Sequence, residues 1–127
     1  MIYASIDVGL KRIGVAVCLD GKIVFPKDAI MRKNRQQAAR DVDDFLQEWH
    51  VDVLVVGLPQ SGSSAQEMQR RIRHFVSLLD FDQKIAFQDE YGSSLEAQEM
   101  MKGITKQRKD GKIDSLAAKI ILERWLS

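Results

Sequence analysis

The chain has 127 residues, 45% of them hydrophobic and 29% charged, with a formal net charge of +1. That size allows one continuous core, so a single domain over residues 1–127 is expected, and the near-neutral balance excludes bulk basicity as the means of holding nucleic acid, leaving only local basic clusters for that purpose. The lone cysteine, Cys18, excludes an internal disulfide, and no apolar run approaches the roughly 18 residues of a membrane span, so a cytoplasmic protein without membrane contact is expected.

Ile2 to Val8 and Ile13 to Leu19 are β-rich runs, and Asp20-Gly21 signals a tight turn before a third run at Ile23 to Phe25. Three strands in an antiparallel meander are predicted. Between Asn34 and His50, the apolar Ala38, Val42, Phe45, Leu46 and Trp49 recur at three- and four-residue spacing, which predicts an amphipathic helix. Val51 to Gly57 is apolar on both parities, as in a central strand covered on both faces. Ser64 with Glu67 has the spacing of a capping box opening a helix through Leu79, and Ser93 with Glu96 repeats it for a short helix fading near Gly103. Lys84 to Gln88, between them, reads as a strand. Gly103 to Lys112 lacks periodicity and is expected to be a loop, ahead of a last helix from Asp114 to Leu126. The order describes an α/β fold: a mixed five-stranded sheet, a three-strand antiparallel meander plus two parallel strands, with helices on both faces.

Three acidic positions stand at ends of these elements. Asp7 closes the first strand and Asp89-Glu90 closes the last; each could equally start a turn or end a solvated loop. Asp114 lies on the helix face of Ala118, Ile121 and Trp125, which should pack on the sheet, and a carboxylate there is costly unless it caps the helix, is paired or meets a cation. If the three positions converge on one sheet edge, they supply hard oxygen ligands for Mg²⁺ or Mn²⁺, ions that activate water and neutralise a phosphodiester transition state. His50 and His74 are far apart with no Ser or Cys in a motif context and read as surface residues, and neither a zinc pattern nor a Gly-x-x-x-x-Gly-Lys phosphate loop is present. Lys11 and Arg12 follow Asp7 directly, and Lys106, Arg108, Lys109 and Lys112 precede Asp114, positions suited to a phosphate backbone. Arg70, Arg71 and Arg73 crowd one helix, where such a run is ordinarily a solvated face.

Four segments in order carry a resemblance: Asp7-Val8-Gly9-Leu10-Lys11-Arg12-Ile13-Gly14-Val15-Ala16; Val55-Val56-Gly57-Leu58-Pro59; Asp89-Glu90 before Ser93-Ser94-x-Glu96-Ala97; and Lys112-x-Asp114-x-x-Ala117-Ala118 followed by Ile121-Leu122 and Trp125-Leu126. Over essentially its whole length the chain resembles the YqgF family, the RuvX-like Holliday junction resolvases also viewed as pre-16S ribosomal RNA nucleases. The resemblance implies an RNase H-like fold, a catalytic and metal-binding carboxylate site of Asp7, Glu90 and Asp114 with Asp89 as an adjacent candidate ligand, a cytoplasmic location and structured nucleic acid as substrate. The chain departs from the family at Tyr91, where an arginine is common, and in its short Gln60-Ser61-Gly62 segment.

The resulting expectation is a Mg²⁺- or Mn²⁺-dependent endonuclease, a monomer or weak homodimer, that trims the 5′ end of precursor small-subunit ribosomal RNA. Lys11, Arg12, Lys106, Arg108, Lys109 and Lys112 would clamp the backbone. The rivals are resolution of branched DNA at the same site, a non-catalytic nucleic-acid-binding or regulatory protein, and a sugar-kinase-like ATPase, against which a single domain of this size argues.

Overall fold

Side chains along a strand point alternately to opposite faces of the sheet, and that alternation divides the apolar residues of this chain between two cores. The computed structural model describes residues 1–101 and 111–127. Five strands, β1 (Tyr3–Val8), β2 (Arg12–Cys18), β3 (Val24–Met31), β4 (Val53–Leu58) and β5 (Lys84–Asp89), pair in the order β3-β2-β1-β4-β5. The first three form the expected antiparallel meander, while β4 runs parallel to β1 and β5 parallel to β4. The helices are α1 (Arg35–Glu48), α2 (Ala65–Ser77), α3 (Ser93–Met101) and α4 (Lys112–Leu126); none in the described residues is long and apolar enough to cross a membrane.

One parity of β1, β2 and β4, including Ile6, Val8, Ile13, Val15, Leu54 and Val56, packs against Val42 and Leu46 of α1 and Ile72 and Phe75 of α2. The other parity supplies Ala16, Cys18, Val53 and Val55, which meet Ala118, Ile121 and Leu122 of α4. Helix α3 lies outside, joined to α4 through Ala97, Ala117 and Ile120. Cys18 is the buried core residue its apolar surroundings imply. Small residues let α4 approach the sheet backbone: Ser5 Oγ donates to the Ala118 carbonyl at 2.6 Å, and the Val15 N–H donates to Ser115 Oγ at 3.3 Å.

Four local expectations are corrected. Strand β3 extends to Met31 rather than ending near Phe25; it is the sheet's edge, where Pro26 removes no needed ladder bond, and its register against β2 shifts between Ile13 and Val15. Ser64 precedes α2 without a side-chain capping bond, because its φ of −104° and ψ of 7° leave the extended region that aims a cap oxygen at the helix, and Glu67 pairs instead with Arg71 at 2.8 Å. The capping box forms at α1, where Asn34 is extended and exchanges bonds with Gln37. Ser93 is the first residue of α3 rather than its cap, and Glu96 binds Arg124 at 2.8 Å. Finally, α4 begins at Lys112, so this residue is helical rather than part of the loop, and Gly111 holds the cap position with a φ of 87°. Asp114 therefore does not cap the helix. Lys106, Arg108 and Lys109 lie outside the described residues.

Candidate active site

Three elements distant in sequence bring carboxylates to the α4 face of the sheet. Ile6 and Val8 point to the α1–α2 core, so the residue between them, Asp7, points to the α4 face. On β5, Ile85 and Phe87 pack on the α1–α2 core, which carries Asp89 to that side and Glu90 to the other. Asp7, Glu90 and Asp114 line one open cavity of about 390 Å³ together with Gly9 and Ser93, and Asp89 is absent from it. Asp89 Oδ1 instead accepts the Tyr91 N–H at 3.0 Å, bracing the turn that follows β5. The pair that the residues alone left unresolved is thus separated by strand parity.

Two glycines make the convergence possible. Gly14 stands opposite Asp7 in the β1–β2 register, and a Cβ there would run into the Asp114 carbonyl and lie 2.8 Å from the Ser115 nitrogen. The absent side chain is what seats the first turn of α4 across from Asp7. Gly57 of β4 plays the same part for Glu90, since its Cβ would stand 2.6 Å from Ile121 Cδ1 and 3.1 Å from Glu90 Oε2. Neither was singled out as a site residue from the sequence, although a glycine inside a strand is itself a signal of close approach.

The electrostatics are those of acids crowded together. Burial raises the Asp7 carboxyl well above its ordinary value, and the hydrogen bond with Glu90, the Glu90 charge and the Asp114 charge all act in the same direction. Asp114 Oδ2 is held by Arg12 Nε at 2.9 Å, with both side chains about a quarter to a third exposed (25% and 30%). Arg12 therefore neutralises a carboxylate of the cavity, while Lys11 is exposed at the β1–β2 turn. With Asp114 turned to Arg12 and Asp7 to Glu90, no group of three acidic, His or Cys side chains among the described residues is placed to hold a metal ion as it stands. The donor set nevertheless fits a hard divalent cation: carboxylate oxygens without sulfur or imidazole, and a desolvated acid whose charged form needs a counter-charge. The chemistry such a set can support is polarisation of water and stabilisation of charge on a phosphoryl centre. Lys112, at the start of α4, is exposed but lines a separate cavity with Pro26 and Ala29 of β3 rather than the carboxylate one, and Tyr91, at the departure from the family pattern, is 73% exposed with its carbonyl accepting from Arg124 at 2.7 Å.

Comparison with known proteins agrees with this architecture. The model of the family described as "RuvX: Holliday junction resolvase" matches residues 1–127. A protein of Sulfurovum sp. strain NBC37-1 named "Putative pre-16S rRNA nuclease" is 65% identical over 127 residues, covering 100% of this chain and 99% of the relative. One of the same name from Sulfurimonas denitrificans is 53% identical over 126 residues, covering 99% and 97%. Among solved structures, Thermus thermophilus RuvC in complex with a Holliday junction substrate superposes with a TM-score of 0.61 at 12% identity, over 99% of this chain and 93% of that one. The chain shares the fold of these two kinds of structure, the RuvC one and the fowlpox virus Holliday junction resolvase, the latter with a TM-score of 0.57 at 15% identity.

Proposed function

The chain belongs to the RuvX family, and on that premise we propose that it is a metal-dependent endonuclease that hydrolyses phosphodiester bonds of structured nucleic acid, its substrate being precursor 16S ribosomal RNA cut at the 5′ end. The observation that carries this reading is the meeting of Asp7, Glu90 and Asp114 in one cavity from β1, the end of β5 and α4. The names of the relatives at 65% and 53% identity favour ribosomal RNA over DNA.

Asp7, Glu90 and Asp114 would hold Mg²⁺ or Mn²⁺, which when bound would lower the pKa of a water and neutralise charge at phosphorus. In the hydrolysis a water oxygen forms a bond to phosphorus, a bridging P–O bond breaks, and the departing oxygen takes up a proton. Asp7 suits the centre of the site because its carboxylate is desolvated, so a counter-charge interacts with it more strongly than in water. Arg12 balances Asp114 when substrate is absent and stands beside the place where a phosphate would lie. Lys11, together with Lys106, Arg108, Lys109 and Lys112, grips the backbone. Asp89 serves as a brace of the turn carrying Glu90. The protein works in the cytoplasm as a monomer or weak homodimer.

The family description and the likeness to RuvC favour a second reading, cutting of four-way DNA junctions at the same site. Resolution takes two coordinated cuts, so a strictly monomeric protein on the junction counts against it. The test offers matched ribosomal RNA precursors and DNA junctions to the wild type and to Asp7→Asn with Mg²⁺ or Mn²⁺. Cleavage of the precursor by the wild type alone is expected, and wild-type turnover by folded Asp7→Asn overturns the site.

A further inference from the structure

The carboxylate cavity is one end of a longer concave surface. Val8, Gly9 and Met68, which line it, also line a second cavity of about 520 Å³ enclosed by the β1–β2 turn, the segment entering α1, and α2. The charged side chains of this second cavity are Arg32, Arg35, Arg70 and Arg71, with His74 also in its lining, and no carboxylate among the described residues lines it. Like charges gathered in one hollow repel, so the arrangement is complementary to an anion rather than to the rest of this protein. Of these arginines, Arg71 alone pairs with an acid among the described residues, the exposed Glu67 at 2.8 Å, a bond of a kind that contributes little.

Arg32 links the two cavities. Its Nη1 donates to the Gly9 carbonyl at 2.7 Å, its backbone N–H donates to the Lys11 carbonyl at 2.9 Å, and its guanidinium stands 5.2 Å from the Phe75 ring centroid. The turn directly after Asp7 is thereby tied to the floor of the basic cavity. Burial and the neighbouring Arg35 both disfavour the Arg32 charge, which a bound anion would offset. No Phe, Tyr or Trp lines the cavity among the described residues, so guanidinium groups rather than a broad stacking platform dominate it. Such groups match phosphate oxygens through their planar fork.

We propose that this arginine-lined cavity is a backbone-phosphate subsite, which holds the nucleic-acid strand flanking the phosphodiester presented to Asp7, Glu90 and Asp114. The assignment rests on the nuclease reading. Arg35 and Arg70 are the principal contacts, and Arg32 is a positioning residue that keeps the subsite in register with the Asp7 turn.

The test is binding of a labelled RNA hairpin with a single-stranded flank, in EDTA so that no cleavage intervenes, to the wild type, Arg35→Ala/Arg70→Ala and Arg35→Lys/Arg70→Lys. Both side chains are exposed and outside the cores, so thermal melting should be unchanged. The alanine pair is expected to bind roughly tenfold more weakly, with the slope of log K against log[salt] shallower by about 1.4, for two lost single-strand phosphate contacts. The lysine pair should keep most of the slope. In cleavage with Mg²⁺, KM should rise by about the same factor as Kd while kcat stays within about twofold. Arg40→Ala, in a cavity bordered by Asp41 and Asp80, should bind as the wild type does. Hairpins with 5′-phosphate and 5′-hydroxyl ends should suffer equally from the alanine pair; a loss confined to the phosphorylated end would overturn the backbone subsite in favour of an end-phosphate pocket. Wild-type affinity and slope in the alanine pair would overturn the subsite while leaving the nuclease reading intact. A wild type that binds with the expected slopes but cleaves neither the hairpin nor the ribosomal RNA precursor would overturn the nuclease reading and with it the subsite as assigned, leaving a phosphate-binding cavity without catalysis, and a wild type that does not bind would overturn both.

Discussion

Under α1 and α2 the sheet presents Ile6, Val8, Ile13, Val15, Leu54 and Val56, whereas under α4 the same three strands present Ser5, Asp7, Gly14, Ala16, Val55 and Gly57. The first face is filled by branched side chains and gains its stability from apolar area removed from water. The second is lined by small residues, so backbone of α4 comes against backbone of the strands, and acids from three elements meet at its end. Proximity on this face is obtained by omitting side chains, and repulsion among the carboxylates is tolerated because the opposite face holds the sheet together.

Changes confined to one face should separate activity from stability. Asp7→Asn should lower cleavage on the order of 10²–10³-fold, the size of effect seen when stabilisation of transition-state charge is lost, here through the ion that Asp7 would hold, while circular dichroism shows the native fold. Leu54→Ala, fully buried on the opposite face, should cost about 2–5 kcal/mol in urea unfolding, with kcat per folded molecule unchanged. A large loss of kcat in that variant would break the division between the faces.

Gly14→Ala tests the point where the two properties join. The new methyl group meets backbone of α4 rather than a yielding side chain, so unfolding should be easier by about 1–3 kcal/mol. Cleavage should fall as well, because Asp114 moves with its helix. Wild-type cleavage by this variant would mean that the approach of α4 at Gly14 does not set the site.

The pH dependence of the metal-free protein follows from Asp7, which faces Glu90 and Asp114, the latter paired with Arg12. Its carboxyl is raised above the unfolded value near 3.8, so its contribution to stability is fully present below that pH and is lost as pH rises through the folded pKa. Urea midpoints measured upward from pH 4 should decline over that window, and Asp7→Asn should flatten the decline. At neutral pH Asp7→Asn should therefore melt above the metal-free wild type. Mn²⁺ should raise the melting temperature of the wild type and not of the variant. The smallest effect is expected for Asp89→Asn, whose amide oxygen can still accept the Tyr91 N–H: cleavage within about threefold of wild type, against a loss comparable to Asp7→Asn for Glu90→Gln.

Much of the candidate site's geometry was legible from local pattern. Asp7 at the end of β1 and Asp114 on the sheet-facing side of the last helix stand where the apolar spacing predicts. The choice between Asp89 and Glu90 was also written in the sequence, since Ile85 and Phe87 fix the parity of β5, but using it required knowing which face α4 covers. The capping boxes went astray at Ser64 and Ser93 because a motif of side-chain types does not fix the backbone angles that aim the cap oxygen. The short reading of β3 failed because Pro26, Lys27 and Asp28 interrupt the alternation on an edge strand that has no second neighbour to satisfy.

By itself, then, the sequence determined the number and kind of elements and which residues share a face, because those follow from periods of two and 3.6 residues along the chain. The tertiary structure decided what contact across the molecule decides: Arg12 on Asp114 across 102 positions, the seat of α4 against Gly14, and an arginine cavity assembled from the turn at Gly9, the start of α1 and the flank of α2. Charge in sequence marked Arg70 and Arg71 only as a solvated face. Their meaning changed when packing set Arg32 and Arg35 opposite them, since an electrostatic field is a sum over neighbours in space.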